Sequence, residues 1–506
     1  MKLTLIAAAA LLSTSLAHAA AGVSLSFKGV SQFDLRNLLG GSFIPPDTMG
    51  AVGASQFMET TNGVYAIYSK TDGTLQSMMR ADTFWANAGA TGGLNGDARI
   101  MFDAPSQKWI AMQFGASVAD IQIAVSATSS ATGAWSSTKF TGFAGGTADL
   151  PTFAIDSKGV YIGTNNFTSA NAFAGTTLNV IARNDLLGAG APTAANVKQF
   201  VTPFVLGGLN NADRGFAIQG VNSTSAVGGR VMAASLFQND SLRYNVNNPG
   251  TAGATLGAVT ALGLTNYGPS HMAAQPDGTR NIETFDGRIV ASVWEMNGKI
   301  YAVYNATPVG GGNTQVRFVV TNATTNAVIQ EGTISDPNFD FYQGSLTVNS
   351  KGQVVIGYNR SGFSKADGKV SFMARTYDTN GSGQLVQTNE LLLHVSDVDN
   401  YHNGSGEGLA AVGRQRWGDY SAVTLDPNDD ETFWAIGQYA AEWNNAAGGH
   451  PNGTGGSSWG TWISAINLAA PIPLPAPIPE PETYGLMLAS LAAMGFVMRR
   501  KTRATA

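Results

Sequence analysis

One pattern recurs along the body of this chain and constrains its fold more than any other feature. An apolar alternating run leads to an Asp or Asn, a few turn residues follow, and a second run rich in aromatic or β-branched residues comes next. It reads ARIMFDAPSQKWIAMQF around Asp103, PTFAIDSKGVYIGTNNF around Asp156 and RNIETFDGRIVASVW around Asp286. It returns as GSLTVNSKGQVVIGYNRSG around Asn349 and YSAVTLDPNDDETFWAIGQY around Asp426, with a weaker copy, NSTSAVGGRVMAASLF, near Gly228. GVYAIYSKTDGTLQS adds a hairpin turning at Asp72-Gly73. Period-two runs bounded by Gly, Asn, Asp and Ser predict strands, and Asp or Asn at the turns predicts tight hairpins. The copies lie about 30 to about 77 residues apart, mostly 50 to 75, enough for a four-stranded unit with variable loops. Each such sheet buries its faces only against its neighbours, so a closed ring is the economical arrangement. The sequence therefore predicts an all-β, six- or seven-bladed β-propeller over residues 22–468, without a convincing amphipathic helix. A pair of β-sandwiches or a long β-solenoid are the competing readings. A solenoid would repeat at shorter and more regular intervals.

Composition agrees with an exported β protein. Of 506 residues, 44% are hydrophobic, 12% are charged and 61 are Gly. The charged share is about half the usual value, so the surface is built from small polar side chains and turns. The formal net charge of −5 lacks the basic footprint of a nucleic-acid binder. The absence of Cys excludes disulfides, Cys-ligated zinc, iron–sulfur clusters and thiol catalysis.

Both ends read as targeting segments. Residues 1–19 form a signal peptide: Lys2 begins it, Leu3 to Leu16 are apolar, and Ala17-His18-Ala19 is a small-x-small cleavage signal. At the other end, residues 469–478 alternate Pro with apolar residues, which favours a semi-rigid polyproline II spacer. Residues 479–506 then run in a fixed order. Pro479-Glu480-Pro481 comes first, an uncharged apolar stretch follows at 484–498, and a basic tail over 499–503 opens with Arg499 and Arg500. About 15 apolar residues make roughly 22 Å of helix, short for a membrane span, but Tyr484 and snorkelling Arg extend it at the interfaces. The basic cluster would stay cytoplasmic, which leaves the body outside. An ordinary, uncleaved tail anchor is the plainer reading of the same features.

This ending resembles the PEP-CTERM sorting signal of Gram-negative bacteria. The resemblance implies export across the inner membrane through the Sec machinery and transient anchoring there by the uncleaved tail. It further implies processing by an exosortase, a final position at the cell surface or outside the cell, and an association with exopolysaccharide and biofilm. The body, through IPPDTMGAVGASQFMETTNGVYAIYSKTDG, DARIMFDAPSQKW and RWGDYSAVTLDPNDDETFW, resembles a group of bacterial secreted β-propeller proteins. That likeness implies the fold and carries no site residue with it.

Candidate site residues stand just before the first strand of a hairpin: Asp47 in PPDTMG, Asp97 and Arg99 in GDARIMF, Asp149 in ADLPTF, His271 in PSHMAAQPDG, and Arg416 and Asp419 in RWGDYSA. If those strands are innermost, these residues ring one mouth of the channel. Asp97, Asp149 and Asp419 are then the candidate catalytic carboxylates, and Asp47, Arg99, His271 and Arg416 the candidate binding groups. Turn capping and pairing between blades are the plainer roles for the same residues. Asp426, Asp429, Asp430 and Glu431 form an oxygen-rich stretch that would suit calcium, but their spacing is not that of an EF-hand and an acidic hairpin turn is the favoured reading. No His-Glu-x-x-His motif is present, the HNGSGEG stretch lacks a nucleophile-elbow context, and no phosphate-cradling loop appears in a βαβ setting. The Ser-x-Asp-x-Gly-x-Thr-Trp box of sialidase-type propellers is also missing. Trp434, Trp443, Trp459 and Trp462 would serve either as a sugar-stacking platform or as blade core. The expectation is a non-enzymatic surface or matrix protein that binds exopolysaccharide or an envelope protein. The alternative is a secreted propeller hydrolase or lyase acting on glycans.

Overall fold

The computed structural model describes residues 21–202, 217–234, 241–403, 413–442 and 457–469. The segment 1–19, the spacer beyond 469 and the tail, including 484–498 and 499–503, lie outside the described residues, as do Trp443 and the GSGEG loop.

Among the described residues the strands form a β-propeller of seven antiparallel units. Blade 1 runs Met49–Val52, Gln56–Thr61, Val64–Ser69 and Leu75–Arg80. Blade 2 spans Arg99–Asp103 to Trp135–Thr141, and blade 3 runs from Gly146–Asp149 and Ala154–Ile155 to Lys198–Val201. Blade 4 begins at Gln219–Ser223 and blade 5 at Val293–Met296, and the first strands of these two blades pair in parallel. Blade 6 runs from Phe339–Val348 to Leu385–Val395. Blade 7 takes Ala422–Leu425, Thr432–Ala441 and Ser458–Asn467, and its fourth strand is the N-terminal Gly22–Ser31, with Phe27 opposite Ile463. Joining the two ends of the body in one blade closes the ring and leaves no open seam.

Burial follows from this layout. Second strands such as Gln56–Thr61 and Thr432–Ala441 are buried on both faces because a neighbouring blade covers each side. Outermost strands such as Leu75–Arg80 are largely open to solvent. The core is correspondingly divided into layers between blades. Ile110, Met112 and Ile123 meet Val160, Ile162 and Ile181 between blades 2 and 3, and Val303 and Phe318 meet Leu346 and Ile356 between blades 5 and 6. Trp434 and Trp459 are core residues, while Trp462 stacks on the imidazole of His394 at 3.8 Å.

The repeated Asp or Asn caps its hairpin and also holds the next blade. Asp156 accepts from the backbone N–H groups of Lys158 (2.7 Å) and Gly159 (2.9 Å), and across the blade boundary from Gly229 (2.7 Å). A Cβ on Gly228 would lie 2.7 Å from both Asp156 carboxylate oxygens, and Gly229 has φ +89°, so the Gly pair is what lets the chain approach. Asp103 of blade 2 pairs with Arg183 of blade 3. Asn349 of blade 6 donates to the Asp430 carbonyl of blade 7 (2.8 Å), and Asp426 of blade 7 binds Lys70 of blade 1 (2.9 Å).

Two expectations need correcting. Asp286 does not turn a blade hairpin: residues 283–292 carry no strand, Asp286 pairs with Arg288, and the first hairpin of blade 5 turns at Asn297-Gly298. Among the described residues the body also contains three short helices, α1 (Gln32–Leu39), α2 (Ala81–Asn87) and α3 (Arg183–Leu187). α1 begins with a capping box between Ser31 and Asp34 and ends on Gly40 at φ +75°. These helices are too short to show a clear 3.6-residue period.

Candidate functional site

The first strands of the blades pack around the axis, and the residues just before them gather at one end of the channel, here called the mouth. Backbone geometry repeats there. Asp47 (φ 50°), Asp97 (φ 64°) and Ala217 (φ 53°) each take the left-handed region two residues before an inner strand, and Leu150 (φ 48°) does so ahead of the third. Each such residue stores strain of order 1–3 kcal/mol, which the surrounding ring must hold. Asp tolerates this conformation better than most residues because its short side chain bonds locally.

The carboxylates are cross-linked between blades 1, 2 and 7. Asn62, at the Asn-Gly turn of blade 1, donates its amide to Asp47 (2.7 Å) and accepts from the Asp97 backbone N–H (3.1 Å). Asp47 also accepts from the Asp419 backbone N–H (3.0 Å), and the Tyr420 hydroxyl donates to Asp97 (3.2 Å). Arg416 bridges Asp419 (2.9 Å) and Glu283 (2.6 Å), and Arg414 joins Glu283 at 3.2 Å. Arg99 lies with its guanidinium 3.6 Å over the Tyr420 ring and donates to the Pro151 carbonyl (2.7 Å). Its Nη2 is buried without a hydrogen-bond partner among the described residues.

Crowding shifts these groups. Burial, then the charges of Asp47, Asp149 and Asp419, holds the Asp97 pKa well above the usual carboxyl range despite Arg99. Burial and Asp47 do the same for Asp419 against the pull of Arg416, and burial raises Asp47 itself. Glu283 is also raised, by burial, with Arg416 and Arg414 opposing. Burial works against the charge of Arg416, but Asp419, Glu283 and Asp47 more than offset it and its pKa rises. Arg99, the most deeply enclosed of the cations here, is lowered by burial. A carboxyl raised in this way keeps its proton to higher pH than an ordinary one, and while protonated it can donate a hydrogen bond to a ligand or a proton to a leaving group.

Five of the residues singled out from sequence therefore meet at the mouth: Asp47, Asp97, Arg99, Arg416 and Asp419. Asp149 stands at the same end, exposed, and contributes to the field on Asp97 and Asp419. His271 does not join them. It precedes a two-stranded ribbon, Ala273–Ala274 with Arg280–Ile282, rather than an inner strand. Its ring contacts the Met272 carbonyl (3.1 Å) and the Gly312 carbonyl beside Arg280, which anchors the ribbon on Asp340 of blade 6 (2.7 Å). Sequence reasoning missed Asn62, Glu283 and Tyr420. The Asn62-Gly63 hairpin signal was visible, whereas nothing local marks Glu283.

The carboxylates of the 426–431 stretch are engaged by separate protein donors rather than turned toward one point. Asp426 holds Lys70 and the Trp434 indole (3.1 Å), Asp429 the Thr432 hydroxyl (2.7 Å), Asp430 the Ser350 hydroxyl (2.6 Å), and Glu431 pairs with Lys351. Among the described residues no group of three or more His, Asp or Glu is placed to hold a metal ion, at this turn or at the mouth.

Comparison with known proteins adds the following. The PEP-CTERM protein-sorting motif matches residues 477–501. No curated protein matches the chain. Among solved structures the chain is similar to the WD40 domain of SCAP from fission yeast, at 9% identity and TM-score 0.33, covering 82% of each chain. It is similar to extracellular domains 1–2 of Drosophila semaphorin 1b, at 9% identity and TM-score 0.38, covering 88% of this chain and 87% of that one. It is also similar to a thermostable family-43 glycoside hydrolase, at 9% identity and TM-score 0.31, covering 77% and 98%. Among the described residues, no helix is long and apolar enough to cross a membrane. The chain carries the PEP-CTERM sorting motif, and that motif marks it as an exported protein sorted by exosortase.

Proposed function

We propose that this is a cell-surface or extracellular-matrix protein whose propeller acts as a non-enzymatic binding module for exopolysaccharide or an envelope protein. The observation that carries the reading is the convergence at one end of the channel of carboxyls from blades 1, 2 and 7 with Arg99 and Arg416. Most of their oxygens are already tied to protein donors, which gives a fixed polar surface for hydroxyl groups rather than a free nucleophile. The sorting motif supports placing that surface outside the cell. Exosortase would release or transfer the body, so mature protein from a host with exosortase should have lost the mass of the tail. An intact tail there would overturn the sorting part of the reading.

One observation favours the glycan hydrolase or lyase reading: the raised pKa of Asp97 supplies a general acid beside Asp419. A glycan array together with a reducing-sugar release assay separates the two. Binding without turnover supports the module. Turnover abolished by Asp97→Asn or Asp419→Asn supports the enzyme.

A further inference from the structure

The channel behind the mouth has a chemistry of its own. A cavity of about 320 Å³ runs between the inner strands, with Ile100–Pro105 on one side and Ala422–Pro427 on the other. Six residues of strand extend about 16 Å at about 3.3 Å per residue, so this volume forms a narrow tube. It is about twice the size of a dry apolar cavity that accepts benzene, a cavity of roughly 150 Å³. Val52, Ile100, Trp294 and Leu425 give it mainly apolar walls. On the mouth side Arg99, Tyr420 and Met49 lie across it, with Arg99 Nη1 3.3 Å from the Met49 sulfur. On the turn side Ala104, Pro105 and Thr224 are exposed, so the tube opens there, at the opposite end from the carboxyl cluster.

One further feature describes the ligand. The cations at the rim are matched one to one: Arg183 by Asp103, and Lys70 by Asp426. The rim therefore offers no surplus positive charge to an ionised head.

We infer that the channel takes the unbranched alkyl chain of a neutral amphiphile, entering from the turn end with its head left at the rim. The inference is independent of the mouth and of what the mouth binds. Titration calorimetry of the full-length chain with 1-alkanols from hexanol to tetradecanol tests it. Expected is one saturable site whose affinity rises about fourfold per methylene until the tube is filled. Leu425→Trp, which narrows the tube, should weaken 1-decanol at least tenfold while keeping a cooperative melt. Decanoate should bind at least tenfold more weakly than 1-decanol. The apolar tail is common to all variants, so a difference between them reads the channel. If Leu425→Trp does not fold, Met296→Trp decides the matter at a second lining position. Absence of saturable alkanol binding, or unchanged affinity in a folded blocking variant, overturns the inference. Equal affinity for decanoate overturns the neutral-head assignment.

Discussion

The two ends of the inner strands carry the same acidic residue type and use it in opposite ways. At the turn end each Asp meets donors from its own hairpin and from the next blade. Asp156 has three backbone N–H groups, Asp103 has Arg183, and Asp426 has Lys70. At the mouth burial raises Asp47, Asp97 and Asp419, neighbouring carboxylates add to the shift at Asp97 and Asp419, and the nearby Arg99 and Arg416 do not offset it. The first arrangement stabilises the ring. The second is held in place by the ring, with Asp47 and Asp97 on left-handed backbone, and such arrangements recur where a site is kept for binding or chemistry.

The largest test of this contrast is Asp156→Ala. It strands three donors and leaves the boundary between blades 3 and 4 without its clasp, so urea denaturation should show a loss of about 4 kcal/mol. A loss below about 1 kcal/mol would break the claim that the turn-end carboxylates stabilise the ring.

Next in size is Glu59, which belongs to neither end. It lies on the second strand of blade 1, accepts from the Tyr68 hydroxyl of the same blade (2.9 Å), and ties blade 7 through the Val30 N–H (3.0 Å) and the Thr461 hydroxyl (2.6 Å). Burial raises its pKa from 4.5 to about 7, against those hydrogen bonds. The native state then holds a proton that the unfolded chain releases. Its contribution is complete below pH 4.5 and is lost as pH rises through about 7, on the order of 3 kcal/mol in all. Unfolding free energy measured between pH 4 and 8 should lose most of that slope in Glu59→Gln.

The same reasoning sharpens the mouth. Asp97 is raised above 3.8, so its contribution is complete below that pH and declines as pH climbs through the raised value. Asp97→Asn keeps the shape and removes one crowded charge, so at pH 8 it should stabilise the protein by about 1 kcal/mol while weakening whatever the mouth binds. A destabilising Asp97→Asn would mean that the mouth carboxyls are structural, like those of the turn end.

How much of this was legible in the sequence follows from what each feature depends on. The hairpins at Asp103, Asp156, Asn349 and Asp426 were readable because alternation and turn residues are local. Five mouth residues were found because they stand at or shortly before the start of a blade's first strand. The blade count was not fixed, because two units depart from the pattern. Blade 5 turns at Asn297-Gly298 instead of Asp286, and blade 7 borrows Gly22–Ser31 from the far end of the body. Pairings such as Phe27 with Ile463 depend on ring closure, and no local signal announces them. Glu283 was missed for the same reason: the loop that carries it is brought to Arg416 by the ribbon pairing Ile282 with Gln415.

The smallest effect tests the comparison from inside the turn end. Lys351 and Glu431 join blades 6 and 7 as Asp156 joins 3 and 4, but their side chains are 55% and 33% exposed. Water screens an exposed pair, and ordering two long side chains costs entropy, so such pairs contribute little. Lys351→Ala should therefore leave the urea midpoint close to that of the parent protein, and closer still in high salt. If it lowers the midpoint as Asp156→Ala does, then position at the blade boundary, rather than burial and backbone donors, decides what a clasp contributes. The contrast drawn from Asp156 would then have to be rebuilt on geometry alone.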